Sequence, residues 1–520
     1  MHCFGRDIGM EATMATNPGG DSLCYRERIQ ASPRPLVMTL VAVVFTMSAN
    51  CAGAQNWQFQ PYLELIATYT DNLYLLPEGA EVDSYIGQLN PGFSVAKEQG
   101  RFRTNTEYRL QSVFFSEDSD FNTIYHQLNS TSTLTLAAEN LFVDFDASID
   151  QTVVDPQQSI PISNVVATAN LGDVTYANIN PYLIEQLGTS QSYLRLDYVR
   201  GIGRYDGFGL STFSRVDDFT QDRAGLYLGT EQQDTGIEWS ATYDYQFIDY
   251  ETVPDYKFER AQLGVGIPIT RGFRLLASGG AESDLLISLQ EGGLDSDFWE
   301  VGFRINAGPN KSLELRTGER FFGSSYFGSF EYEGRRLNAF VIYSEDPTTS
   351  ALGGMGGVQI PFSIAGVGDS PDQSVPVDDV LIAPIRSEVY VSKTLRARIG
   401  FTGGRSTAFL AYFDENREFL DETTVLEGSQ DGQSAITAGV VYALGPRTDL
   451  EISAARLQYD YADTVTDTNV LQITAGAVRR FGRGLDVRLS YRHAIQETNA
   501  VSNFNNYTEN AIDITLVKQF

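Results

Sequence analysis

Cysteine is almost absent from this chain of 520 residues, and the three present, Cys3, Cys24 and Cys51, all precede residue 52. Everything after them can be neither a disulfide scaffold, nor a thiolate metal site, nor a cysteine enzyme. Basic residues are also scarce, 37 Lys and Arg against 67 Asp and Glu, and the resulting net charge of −30 excludes a nucleic-acid groove. Long apolar runs are missing apart from one, Leu36 to Met47, so the chain is not a bundle of membrane helices. Period-3.6 amphipathicity is not found beyond that run. Aromatic residues at 12% and charged residues at only 20% exclude intrinsic disorder.

The single apolar run is preceded by Arg26, Arg28 and Arg34 and followed by Ala52-Gly53-Ala54. A basic flank, an apolar core too short to span a bilayer and small residues before a cleavage point make a secretory signal. Residues 1–54 are therefore expected to be the signal peptide, with Met10 or Met14 as alternative starts, and 55–520 the mature protein. Cys51 follows Asn50, where lipidation wants a small residue, so a lipid anchor is not expected.

What remains alternates with period 2, the pattern of half-buried strands. Ile237, Trp239, Ala241, Tyr243, Tyr245 and Phe247 oppose Glu238, Ser240, Thr242, Asp244 and Gln246. The same holds for Ala261 to Ile269, for Trp299 to Ile305 and for Leu141 to Ile149. Tight connectors such as Glu98-Gln99-Gly100, Thr270-Arg271-Gly272, Gly403-Gly404-Arg405 and Gly445-Pro446-Arg447 suit hairpin turns. They alternate with long polar stretches, Asp155 to Gly172, Gly201 to Asp218, Asp284 to Asp295 and Asp346 to Arg386. Ten tight turns, counting weaker ones near Gly188, Gln232 and Gly334, imply about 22 strands, within a range of 18–24.

Strands of ten or more residues, turns short on one side and long on the other, and aromatic residues near strand ends describe an all-β, antiparallel, up-and-down transmembrane β-barrel. Its short turns should face the periplasm and its long loops the exterior. The aromatic girdle is expected from Tyr69, Tyr108, Tyr245, Tyr250, Phe321, Tyr442 and Phe481. Lumen-facing charges are expected at Arg195, Asp197, Glu238, Asp244, Arg260, Glu300, Arg304, Glu314, Arg316, Asp486, Arg488 and Arg492. Ile512, Ile514, Leu516 and the terminal Phe520 share one face, as in an outer-membrane assembly signal, with Lys518 as a departure from it. A lumen this wide must hold water or an inserted loop, and Asp346 to Arg386, with Gly353-Gly354-Met355-Gly356-Gly357 and Ile360-Pro361-Phe362, is the candidate for insertion.

Tyr69-Thr70-Asp71-Asn72-Leu73, Gln88-Leu89-Asn90-Pro91-Gly92-Phe93 and Gly100-Arg101-Phe102-Arg103 with Tyr108 resemble the outer-membrane β-barrel proteins associated with the PEP-CTERM and exosortase system, found beside exopolysaccharide gene clusters. Ser392-Lys393-Thr394-Leu395-Arg396-Ala397 and Gly404-Arg405-Ser406 are similar to a later block of that family. The resemblance implies an outer-membrane location in a Gram-negative bacterium and a connection with polysaccharide export. It carries over no catalytic residue.

No compact catalytic constellation stands out, and an enzyme is not expected. His126 and His493 are the only histidines after the signal, on different strands, where lumenal or interfacial positions are usual. Gly203, Gly207 and Gly209 are taken as loop glycines. Glu117, Asp118 and Asp120, or Asp295 and Asp297, could gather Ca2+ or bridge through it to lipopolysaccharide, although acid-rich loops more often serve solubility. No other cofactor is implied. Expected partners are outer-membrane lipid and lipopolysaccharide, the barrel assembly machinery and polysaccharide export components. Passage through a polar lumen is the leading expectation, and a closed barrel anchoring surface polysaccharide through acidic loops is the rival.

Overall fold

The computed structural model describes residues 57–136, 140–154, 158–168, 170–188, 192–207, 217–230, 236–251, 254–308, 310–349, 389–420, 430–460, 467–482, 484–499 and 505–520. The expected signal peptide lies outside the described residues, as do Gly209, Gln232 and the glycine-rich and Ile360-Pro361-Phe362 parts of the loop expected to insert.

The alternating segments form strands of 10 to 16 residues. The first half of the chain gives β1 (Gln58–Thr70), β2 (Ser84–Lys97), β3 (Phe102–Phe115), β4 (Thr123–Thr135), β5 (Leu141–Val153), β6 (Leu171–Gln186), β7 (Ser192–Asp206), β8 (Phe219–Thr230), β9 (Glu238–Tyr250), β10 (Tyr256–Thr270) and β11 (Phe273–Glu282). The second half gives β12 (Ser296–Asn306), β13 (Lys311–Arg320), β14 (Gly323–Glu333), β15 (Leu337–Thr349), β16 (Val389–Thr402), β17 (Ser406–Phe419), β18 (Gln430–Gly445), β19 (Thr448–Asp460), β20 (Asp467–Phe481), β21 (Leu485–Thr498) and β22 (Tyr507–Gln519). Each strand pairs antiparallel with its sequence neighbours, and β1 pairs with β22 over Tyr62↔Gln519 to Thr70↔Ala511. The sheet is therefore a closed barrel of 22 strands with no edge, the condition for crossing hydrocarbon, where no water is available to an unpaired backbone group.

Register sorts the side chains into two shells. In β1, Glu64, Thr68 and Thr70 point inward and are buried, while Leu65, Ala67 and Tyr69 point outward. The parity propagates around the wall and leaves an apolar exterior, in which Leu263 is 69%, Ile452 60% and Trp299 50% exposed. A continuous apolar belt of this kind is stable only against lipid, and the architecture is that of an outer-membrane barrel.

Several assignments shift. Residues 201–206 are strand, not loop, because Gly203 faces inward beneath the Phe219 ring, where a Cβ would lie 2.0 Å from a ring carbon. Gly207 follows that strand with φ +89°. The loop expected to begin at Asp346 begins after Thr349. Of the expected girdle, Tyr69, Tyr108, Tyr245, Tyr442 and Phe481 lie on outward positions, Tyr108 at mid-strand. Tyr250 and Phe321 do not: Tyr250 has inward parity, and both pack in an apolar cluster at the long-loop end.

The two ends differ in charge as well as in loop length. Among the described residues of the ten short turns stand Arg101, Arg271, Arg335, Arg336, Arg405 and Arg447, against Glu98 as the one acid. The described residues of the long loops hold no base. They carry Asp71, Glu78, Glu81 and Asp83, then Glu117, Asp118 and Asp120, then Asp217 and Asp218, Glu251 and Asp255, and finally Asp284, Glu291 and Asp295.

Candidate functional site

All twelve charges expected in the lumen occupy inward positions of the register. Six of them, joined by Arg274, Glu282 and Arg320, build a ladder of alternating sign up the wall formed by β9 to β13. It starts near the short-turn end with Glu238, which meets Arg274 Nε at 3.3 Å and Arg304 at 3.1 Å. Arg304 donates to Glu314 at 2.6 Å, Glu314 meets Arg316 at 2.9 Å, and Arg316 meets Glu300 at 3.1 Å. Arg260 continues upward between Glu300 at 3.7 Å and Glu282 at 3.9 Å. The ladder ends at the long-loop end on Arg320, bonded to Glu282 at 2.8 Å and to Asp346 at 2.9 Å.

Local sequence makes room for it. Gly302 stands inward between the rungs, and a Cβ there would meet Arg316 Cγ at 2.7 Å and the Leu315 carbonyl oxygen at 2.1 Å. Arg260 and Arg316 lie over the rings of Phe298 and Phe327 at 4.2 and 4.1 Å, which holds their planes flat against the wall. Below, a recess of about 780 Å³ opens among Arg271, Asn306, Ser312, Ser329 and Glu331. Paired charges present water with both signs and no large net field, which lets a hydrated solute pass without being held. Elsewhere on the inner wall, Arg195 pairs with Asp197, Asp244 with Arg223, Arg488 with Glu451 and Arg492 with Glu509. Asp486 lies beside Arg480 across the β20–β21 pair.

The segment that enters the lumen, among the described residues, is 158–168 between β5 and β6. Ile160 and Ile162, both nearly fully buried, share one apolar cluster with inward side chains of β17 to β22, including Phe413, Leu457, Val470 and Ala494. Val165 and Ala167 join a second cluster with Leu73, Ile86, Val113 and Phe115. The backbone is tied down as well: Ile160 N–H donates to Gln496 Oε1 at 2.8 Å, Gln496 Nε2 to the Gln158 carbonyl at 3.0 Å, and Tyr507 OH to the Ile160 carbonyl at 2.6 Å.

Asn164 completes a ring of amides with the wall. It exchanges hydrogen bonds with Gln111 at 2.7 and 3.1 Å, and Gln111 donates to Gln88. Asn90 donates to Gln88 and to Glu64, and Glu64 meets Arg109 at 3.3 Å. Arg109 donates to Gln127, Gln127 to Gln151, and Asn164 to the same Gln151 oxygen. Gln88 and Asn90 belong to one of the motifs read from the sequence, and that motif helps to seat the inserted segment. Asp71 and Asn72 of another close the barrel seam: Asp71 accepts from Asn510 N–H and Nδ2, and Asn72 donates to the Thr508 carbonyl. Replacing Gln496 by Ala and Tyr507 by Phe together removes the two ties to Ile160. We expect this to free the segment by about 1–3 kcal/mol, read as faster amide hydrogen exchange over 158–168 with unchanged exchange in the strands.

A second element narrows the mouth from the other side. The upper ends of β15 and β16 lean across it, burying Val389 and Val391 in one cluster with Val174, Phe219, Ile248 and Tyr256 of the opposite wall, and Tyr250 OH donates to Thr349 Oγ1 at 3.1 Å.

The two histidines are not lumenal. His126 and His493 have outward parity on β4 and β21, and their Nδ1 atoms meet Tyr108 OH and Asn510 Oδ1, each at 2.8 Å. They are not brought together. In the acidic loops, Asp118 accepts from Asp120 N–H and from Tyr74 OH, and Asp295 accepts from Asp284 N–H. Among the described residues no group of three His, Cys, Asp or Glu converges as a metal site. Ile512, Ile514, Leu516, Lys518 and Phe520 have outward parity at the end of β22.

Sequence reasoning missed the inserted segment and the buried amides around it. The signal was present in Ile160-Pro161-Ile162 and Val165-Val166-Ala167, apolar runs with no reason to sit in water.

No family model and no curated protein matches this chain. Among solved structures it is similar to Pseudomonas aeruginosa OccK2 (OpdF) in complex with glucuronate, at 10% identity and TM-score 0.36 over 90% of this chain and 100% of that one. It is similar also to Acinetobacter baumannii OccAB3, at 12% identity and TM-score 0.34 over 89% and 100%. A third is Pseudomonas aeruginosa OprD, at 10% identity and TM-score 0.33 over 90% and 97%.

Proposed function

We propose that the chain is an outer-membrane channel whose lumen is constricted at its outer mouth by residues 158–168. The observation that carries this reading is the ion-pair ladder, which lines the wall from Glu238 near one end to Arg320 at the other. A barrel with a purely structural role needs no wet, sign-alternating track along its interior. Single-channel recording in planar bilayers tests the proposal: the mature protein gives discrete conductance steps, and an inserted barrel that never conducts overturns it. Replacing Glu300 and Glu314 by Gln takes negative charge from the ladder and leaves Arg316 uncompensated. The cation-to-anion permeability ratio should fall about two- to threefold, read from the reversal potential in a salt gradient.

The resemblance in Tyr69 to Leu73 and Gln88 to Phe93 supports a place for this channel in exopolysaccharide or surface-protein export. A chain-like polymer then needs the constriction to move aside. A second reading, a closed barrel that anchors surface polysaccharide or a partner through its acidic loops, is favoured by the covering of the mouth from two sides. Loop deletions that release the matrix while conductance stays unchanged select it.

A further inference from the structure

On a chain of net charge −30, a positive edge is a matter of placement, not of composition. The short-turn end has one. Just inside its arginine-bearing turns, Lys97, Lys311, Arg479 and Lys518 occupy outward positions on β2, β13, β20 and β22. Each lies over an outward-facing ring at the same level: Lys97 over Trp57 at 4.9 Å, Lys311 over Tyr332 at 5.2 Å, Arg479 over Phe481 at 5.3 Å and Lys518 over Phe520 at 5.5 Å. Among the described residues, none of Lys97, Lys311 and Arg479 forms an ion pair with a carboxylate. A ring at the boundary of the apolar belt supports the aliphatic stem of the cation and carries its charge outward into the polar layer of the bilayer.

We propose that this rim is a docking surface for anionic phospholipid headgroups in the leaflet it crosses, with the four ring-supported cations as its phosphate contacts. The inference rests on the membrane reading of the barrel. Phospholipid is the occupant because the cations face outward at the depth where lipid phosphates begin. They are also spread over four strands of the circumference, which suits many small ligands better than one protein. In this position Lys518 ceases to be a flaw in the terminal assembly signal and becomes one of the contacts.

The test uses the mature chain refolded into phosphatidylcholine vesicles containing about one-fifth phosphatidylglycerol, then extracted in mild detergent at low salt, with the retained lipids counted. The parent should retain phosphatidylglycerol at least about threefold above its bulk share, and at about 1 M salt this excess should disappear. The variant Lys97→Gln/Lys311→Gln/Arg479→Gln/Lys518→Gln should retain lipid in the bulk ratio while conducting as the parent does. The pair Lys97→Gln/Lys518→Gln, a smaller perturbation, should lose about half the excess. Retention in the bulk ratio by the parent, an excess that survives high salt, or an undiminished excess in either variant overturns the proposal. A parent that never inserts into the vesicles counts instead against the membrane reading.

Discussion

Replacing residues 158–168 by a glycine-serine chain of equal length raises single-channel conductance at least about fivefold, because a 22-stranded wall encloses far more space than side chains alone can fill. The replacement removes the buried Ile160, Ile162 and Val165 anchors and the Asn164 amide contacts while leaving β5 and β6 and their pairing untouched. The measurement is conductance in planar bilayers, with heat-modifiable migration on gels to show that the barrel has formed. An unchanged conductance would mean that the lumen is blocked elsewhere, the leaning hairpin of β15 and β16 being the next obstacle.

The second large effect belongs to stability. Arg320 is 2% exposed in its side chain and its partner Glu282 0%. Its Nε and Nη2 donate to the Glu282 carboxylate at 2.8–3.2 Å, and Nη1 donates to the Glu345 carbonyl and to Asp346. Arg320→Met leaves Glu282 charged and buried beside Arg260, which stands 3.9 Å away and is shared with Glu300. We expect a loss of about 3–5 kcal/mol in guanidinium unfolding from lipid vesicles. The double variant Arg320→Met/Glu282→Leu should recover most of it, because no orphaned charge remains and the new side chains pack together. Recovery of less than half would show that the contacts to Asp346 and the Glu345 carbonyl, not the buried pair, hold this corner.

Much of this architecture could be read from the chain because a barrel wall obeys two simple rules, alternation along each strand and a turn at each end. Ile237 to Phe247 and Trp299 to Ile305 show the first rule, and Gly403-Gly404-Arg405 the second; the strand count and the inner face of the ladder followed from them. What could not be read were the places where the chain leaves the wall. Tyr250 looks like a girdle residue in one dimension and is a core residue in three, since a leaning hairpin comes down on it from six strands away. Gly203 looks like loop because glycine is rare inside strands, but Phe219 takes the space that its missing side chain leaves. Ile160, Ile162 and Val166 bury their apolar atoms against β17 to β22, strands more than 200 positions later in the chain. No local pattern encodes such a partner.

The ladder between β14 and β15 holds only six residue pairs, from Gly328↔Tyr343 to Glu333↔Asn338, against thirteen between β15 and β16. Above it the backbone pairing stops, and the Glu345 side chain of β15, not a backbone carbonyl, accepts from the Tyr326 N–H. Under a pulling force the cylinder therefore has a built-in tear line. Extraction from the bilayer by a tip attached at either terminus should show its smallest rupture peak when the β13 and β14 hairpin comes free.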